Sequence, residues 1–282
     1  MQKPILTLAL TVLAGCSAPS TVQNPGGGST SAIPAALSNN LSAATYDAGN
    51  QTLTVELSSL DASPFTATYT RNPAFDVPGN GGTLDYEGYD VKETTLQRHF
   101  VALFARNPRQ NLIAGAVSDG GQFNRFFNGA TYAQVDVYSQ PTSGLASYTG
   151  SYAGLVTNNG GIAGDPPIRT SGDVLLNADF TNLTVNGAIT NRVDLDGFGL
   201  PLVDLALTVT PITSGGSFLG DVEYLGNPNQ KAGDFGGIFG GLQASDVAGV
   251  LVFHPINYDT KITETGVFIL PCVIPGSGVA CP

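Results

Sequence analysis

Residues 172–190 read GDVLLNADFTNLTVNGAIT, and their spacing decides the fold. Val174, Leu176, Ala178 and Phe180 fall on one face of an extended chain, with Asp173, Asn177 and Asp179 on the other beside Leu175. Further on, Val185, Gly187 and Ile189 alternate with Thr184, Asn186, Ala188 and Thr190. Residues 202–210 continue the pattern, Val203, Leu205, Leu207 and Val209 opposing Asp204, Ala206, Thr208 and Thr210. Successive side chains on a strand point to opposite faces, so this period of two marks antiparallel strands with one face in water. Past Ser38 almost no stretch carries helical spacing. The protein is all-β.

Outward from that stretch, the second half divides into eight strands, roughly 145–156, 172–181, 184–192, 202–211, 217–225, 232–240, 248–254 and 262–270. Turn-forming clusters such as Asn158-Asn159-Gly160-Gly161 and Gly226-Asn227-Pro228-Asn229 separate them. Consecutive strands with short connections suit an eight-stranded antiparallel up-and-down barrel, the size at which inward side chains fill the interior. Glycines inside the strands (Gly150, Gly154, Gly187, Gly220, Gly236, Gly237) fit sharp bending around a small barrel. Closure also removes exposed strand edges. The first half is β-like but less regular, with strands expected at 51–57, 65–70, 84–92, 100–105, 112–117 and 132–138. Residues 94–104 fit a short helix or a strand, and the alternation of Phe100, Ala102 and Phe104 favours the strand. We expect residues 39–143 to form a β platform, or handle, packed on a barrel of residues 144–282, with the boundary at Pro141-Thr142-Ser143-Gly144.

Composition limits the function. Of 282 residues, 11 are Lys or Arg and 22 are Asp or Glu, a net charge of −11. A nucleic-acid binder needs a dense cationic face to displace counterions, so that class is excluded. Two histidines leave little material for acid–base or zinc chemistry. No G-x-S-x-G elbow surrounds a serine, and no histidines stand at metal-ligand spacing, so neither an enzyme, nor a cofactor, nor a metal site is expected.

The chain begins MQKPILTLALTVLAGC. Lys3 gives a positive start, and the apolar run from Ile5 to Leu13 is too short to span a bilayer, as in a secretory signal. Leu13-Ala14-Gly15-Cys16 resembles the bacterial lipobox, which implies that residues 1–16 are a lipoprotein signal and that Cys16 carries the lipid. The plainer alternative is an ordinary signal with a chance cysteine. Several acyl chains hold a protein firmly where one holds it only transiently. Loss of Lys3 makes the mature chain one charge more negative. Ser17, rather than an aspartate, favours delivery to the outer membrane by the same resemblance. Residues 17–38, rich in Ser, Thr, Pro and Gly, read as a flexible tether.

Glycine-flanked strands recur in GLASYTGSYAG (144–154) and in the stretch opened above. In GDFGGIFGGLQASDVAG (233–249), an F-x-G leads into a short Ala/Ser/Asp segment and an apolar strand. These motifs resemble the C-terminal barrel of transferrin-binding protein B-like lipoproteins, a group that includes the factor H-binding protein barrel. GGQFNRFFNG (120–129), followed by Tyr132, is similar to small proteins grouped with that family. The resemblance covers about half of the chain well, the barrel half. It implies a surface-displayed lipoprotein that binds a host or environmental protein through its loops or rim. True transferrin binders have two lobes, so transferrin itself does not carry over to a chain of one lobe's length.

Remaining candidates have plainer readings beside the functional ones. With Cys16 lipidated, Cys272 and Cys281 are the two thiols left in an oxidising compartment, and a disulfide between them is expected. His99 and His254 read as strand-end surface residues. Asp194-Leu195-Asp196-Gly197 falls short of a calcium loop and reads as a polar turn. Phe123, Arg125, Phe126, Phe127 and Tyr132 either anchor the platform to the barrel or form an exposed docking patch. Two rival readings of the whole are a structural envelope lipoprotein facing the periplasm and an integral barrel with its apolar face on lipid.

Overall fold

The computed structural model describes residues 21–23, 33–58, 65–92, 98–109, 111–121, 126–135, 138–158, 164–197, 201–254 and 262–273. Two β-sheets contain nearly all of its regular structure. The first holds eight strands in chain order: β1 (Thr21–Gln23), β2 (Leu41–Asp47), β3 (Thr52–Leu57), β4 (Phe65–Arg71), β5 (Glu87–Val91), β6 (Phe100–Arg106), β7 (Leu112–Asp119) and β8 (Asn128–Gln134). The second is a closed antiparallel barrel of eight strands, the architecture expected from the alternation. Its strands are β9 (Leu145–Asn158), β10 (Ile168–Asp179), β11 (Thr184–Asp194), β12 (Leu205–Pro211), β13 (Ser217–Tyr224), β14 (Asn227–Gly240), β15 (Asp246–Phe253) and β16 (Ile262–Val273). Each pairs with its neighbour in sequence, and β16 returns to β9 to close the cylinder.

The barrel interior is packed with side chains. Towards one end Phe239 stands in an aromatic stack, 5.3 Å from the rings of Tyr148 and Phe180 and 5.5 Å from Phe218. Val174, Leu176, Val185, Ile189, Leu205, Leu207, Leu251 and Leu270 fill the space around this aromatic stack. These are the inward positions that the period of two assigned on β10 and β11. On β12 the assignment slips. Between Gly187↔Leu207 and Val185↔Thr210 the partner strand advances two residues while β12 advances three. This bulge turns Thr210 inward and leaves Val209 66% exposed. Val203, expected to face the core, is also exposed, because it lies ahead of the strand.

The first sheet packs against the outside of the barrel. Ile33, Val101, Leu103, Leu112, Ala130 and Tyr132 from the first half form one buried cluster with barrel residues from β9, β14, β15 and β16. Leu155, Ile238, Ala248, Val250, Val267 and Ile269 are the barrel's share. This second contact explains why β15 is buried at every position while β10 and β11 alternate. The other face of the sheet curls around its own apolar cluster, which includes Leu53, Val55, Tyr69, Tyr89, Phe100 and Phe104. Strand β2 (residues 41–47) did not stand out in the sequence because only Leu41 and Ala44 of its seven residues are buried. A short helix, α1 (Ala35–Ser38), lies in the stretch that composition assigned to the tether. Its Leu37 and the preceding Ile33 are buried, so the packed chain begins before residue 38. Two apolar side chains were enough to dock a segment whose average composition is that of a linker.

Polar contacts fix the sheet on the barrel at its margins. Arg169 on β10 is ion-paired to Asp196 at 2.6 Å and donates to the carbonyls of Ala74 and Asp76 in the first half. Arg109, in the turn after β6, reaches Asp246 at 2.6 Å. Asn80 donates through its amide N–H to Ser151 Oγ and through Nδ2 to Asp173. One contact enters the barrel wall itself. The ladder between β9 and β16 is interrupted between Phe268↔Tyr152 and Cys272↔Tyr148. The Tyr86 hydroxyl fills the gap: it donates to the Ser151 carbonyl at 2.7 Å and accepts from the Ile269 amide at 3.0 Å. The first sheet thus supplies hydrogen bonds to the seam where the barrel closes.

Candidate functional site

The two ends of the barrel interior are chemically different. Around Phe239 the end is aromatic. At the opposite end the strands carry two charges into the interior, Arg192 on β11 and Glu264 on β16, 3% and 2% exposed. Glu264 Oε2 accepts from Arg192 Nη2 at 2.5 Å, and its Oε1 accepts from the hydroxyls of Tyr152 and Thr170, both at 2.7 Å. Arg192 Nη1 donates to the Val203 carbonyl, and the guanidinium lies 5.0 Å from the Phe253 ring centre and 5.9 Å from that of Tyr152. Burial works against the Arg192 charge, but Glu264 beside it more than offsets this and holds its pKa above the ordinary value. Burial, reinforced by the Glu264 charge, pushes the Tyr152 phenol well above its ordinary range. A carboxylate with three protein donors in a sealed interior is a structural knot. It ties β9, β10, β11 and β16 together across the barrel.

The outer surface of the barrel is also divided in two. Strands β14, β15, β16 and the second half of β9 lie under the first sheet, whereas β10–β13 are open to solvent. On this open face Leu175, Val209 and Leu219 are 42%, 66% and 45% exposed. Ala188 pairs with Leu175 on one side and with Ala206 on the other, and Asn177, Asn186 and Thr208 separate this row from Val209 and Leu219. Acidic side chains border the patch. Asp173 and Asp179 lie on β10, Asp221 and Glu223 on β13. Asp179 caps the turn into β11, accepting from the Thr181 and Asn182 amides and from Asn182 Nδ2, and the Asn182 side chain and amide lower its pKa. Lys231 on β14 sits between Asp221 and Asp234 at 2.7 Å from each.

The residues singled out from sequence are distributed as follows. Cys16, Phe123, Arg125 and Cys281 lie outside the described residues. Tyr132 is buried in the apolar cluster that the first sheet shares with the barrel. Its neighbours on both faces of β8 are packed, which removes it from the surface. Phe126 and Phe127 are half-buried, and Phe127 packs under the Arg98 guanidinium, 5.0 Å from its ring centre. The carboxylate of Asp119 accepts from Arg98 and from the Phe127 amide. Burial raises its pKa, and these donors oppose the shift. Cys272, near the end of β16, packs half-buried against the aromatic end of the interior. His99 Nε2 is 2.8 Å from Asp90 and its ring meets Phe75 edge-on. His254, exposed at the end of β15, contacts Thr263. Asp194 accepts from the amides of Asp196 and Gly197, so both aspartates serve the turn and the Arg169 bridge. The buried Arg192–Glu264 pair escaped the sequence reading because three-dimensional closure alone brings β11 to β16.

No family model matches the chain, and no curated protein does. Several solved structures do. Intact Ap-TbpB, with its N and C lobes, matches at 13% identity over 79% of this chain and 52% of that one, TM-score 0.39. Isotype 1 transferrin binding protein B from serogroup B Neisseria meningitidis matches at 14% identity over 81% and 51%, TM-score 0.35. HpuA from Kingella denitrificans, in complex with human haemoglobin, matches at 10% identity over 93% of this chain and 98% of that one, TM-score 0.34. The chain is similar to both kinds of protein. It spans about half the length of the transferrin-binding protein structures.

Proposed function

We propose that this chain is a lipid-anchored surface protein that works by binding another protein on the outside of its barrel. In this reading residues 1–15 are removed as a signal, Cys16 becomes the acylated N-terminus, and residues 17–38, which include β1 and α1, run from the anchor onto the body. Residues 39–143 are the platform and 144–282 the binding barrel, displayed on a bacterial outer membrane, with Cys272 and Cys281 joined as a disulfide. One observation carries the proposal. The interior is filled by the side chains around Phe239, while large apolar side chains stand in solvent on the one barrel face that the first sheet leaves uncovered. A filled interior favours recognition at the exterior, and exposed apolar clusters on a well-packed molecule are the usual mark of an interaction surface.

Charges on the open face also bear on the integral-barrel alternative. Asp173, Asp179, Asp221 and Glu223 would face lipid there, where charged side chains destabilise a membrane barrel. The transferrin and haemoglobin in the names of similar structures are not assigned to this chain. Protease treatment of intact cells tests the display: cleavage of the chain without lysis is the expected result, and full protection would support the periplasm-facing alternative. Saturable capture of one identified protein by the chain lacking residues 1–16 tests the binding. Failure of any surrounding protein to bind saturably would remove the reading.

A further inference from the structure

We infer that the open face of β10–β13 is the docking surface and that its occupant is a protein surface presenting cationic side chains interspersed with apolar ones. The inference deepens the binding reading above and rests on it. Three observations define the occupant. First, apolar side chains stand out from the face in two groups: Leu175 in a row with the small Ala188 and Ala206, and Val209 with Leu219 further along the strands, across Asn186 and Thr208.

Second, the border is acidic. Asp179 and Glu223 lie on the strands of the face and Asp204 leads into β12, while Asp221 shares Lys231 with Asp234 and Asp173 at the margin accepts from Asn80 and Asn191. The nearby cations are already engaged, Arg169 by Asp196, Arg192 in the interior by Glu264, and Lys231 by Asp221 and Asp234. Third, the chain as a whole carries −11, so the long-range field has the same sign as the border. Such a field accelerates encounter with a cationic partner and repels an anionic one. A second copy of this chain would bring one acidic border against another. An anionic lipid surface would meet the same repulsion. A basic protein surface answers both the apolar groups and the border.

The test uses three strand-forming peptides of equal length as probes, alternating Lys with Leu, Glu with Leu, and Lys with Ser, titrated against the folded chain lacking residues 1–16. The Lys/Leu peptide is expected to bind most tightly, and its affinity is expected to fall as salt rises, since exposed charges are screened within about 10 Å at 0.1 M. Leu175→Ser, Val209→Ser and Leu219→Ser combined should weaken it at least about tenfold, equivalent to ~1.4 kcal/mol. Asp179→Asn, Asp221→Asn and Glu223→Gln combined should weaken it and flatten its salt dependence. All six positions are at the surface, and circular dichroism and thermal melting confirm that the variants fold. Asp47→Asn with Glu56→Gln, on the first sheet, serves as the control and should change nothing. Equal binding of the Glu/Leu peptide overturns the inference, as does equal loss in the control or preferential binding to phosphatidylglycerol vesicles. If an identified protein partner is captured with undiminished affinity by both sets of face variants, the docking inference fails while the binding reading stands. If no surrounding protein binds the unaltered chain, the binding reading itself fails.

Discussion

Glu264 shows how a single residue can be both costly and necessary. Removing a carboxylate from water is unfavourable, and only its three donors and the Arg192 charge make the buried state tolerable. Taking away one partner leaves the other charge buried and unpaired. Glu264→Gln is therefore expected to destabilise the chain by about 3–5 kcal/mol, and Arg192→Met by a similar amount. The double variant Arg192→Met with Glu264→Leu should recover much of that loss, because an apolar pair in the same space leaves no unpaired charge. Urea denaturation of the three variants measures the coupling. Additive losses would show that the two side chains do not act as a pair.

Elements follow alternation where one face is wet and lose it where both are covered. Strands β10 and β11 announce themselves in sequence, since water on one side keeps Asp, Asn and Thr at every second position. Strand β15, DVAGVLVF, is apolar on both faces because the first sheet lies over it, so its length was legible but not the reason for its composition. The closing pair β9 and β16 depends on two local devices. Gly154 and Gly266 face each other across the ladder, and the Tyr152 ring lies over them: a Cβ on Gly266 would stand 2.1 Å from the Tyr152 hydroxyl. Gly266→Ala should cost about 1–3 kcal/mol by overpacking, read as a lowered urea midpoint. An unchanged midpoint would mean the ring moves freely aside. Tyr86 is the second device. Tyr86→Phe keeps the ring but strands the Ser151 carbonyl and the Ile269 amide, at about 1–3 kcal/mol for each buried unpaired group. Hydrogen exchange at the Ile269 amide should accelerate in this variant. Protection equal to the parent would contradict the role of the hydroxyl at the seam.

At the scale of the whole molecule, the first sheet and the barrel share one apolar layer, and each hides what the other would expose. Residues 144–282 expressed alone would present Leu155, Ile238, Val250, Val267 and Ile269 to water and leave the seam without Tyr86. They are expected to associate or precipitate, which size-exclusion chromatography would reveal. A monodisperse, cooperatively melting fragment would show that the layer is dispensable. Tyrosines spread over both sheets make the assembly sensitive to alkali. Burial pushes the phenols of Tyr132 and Tyr138 up to about 12. A free tyrosine titrates near about 10, so the folded state holds these protons more tightly than the unfolded state does. The stabilisation is complete below about 10 and is lost as pH rises through about 12. Phenolate absorbance should therefore appear together with loss of tertiary circular dichroism in that window. Titration of all tyrosines near pH 10 without unfolding would contradict it.

Sequence alone determined the class of structure and its main cylinder, because period-two alternation and glycine-marked turns are local signals that need no partner strand to be read. It placed Val174, Leu176 and Ile189 correctly in the interior for the same reason. Only the tertiary structure decided which barrel face is covered, since that depends on a sheet distant in the chain. Contacts between strands far apart in order, such as Arg192 with Glu264 and Tyr86 with the β9–β16 seam, leave no periodic trace in either strand. The open face followed in turn. Leu175 reads as an apolar intruder on a wet strand, and Val209 comes to share its exposed face only because β12 bulges.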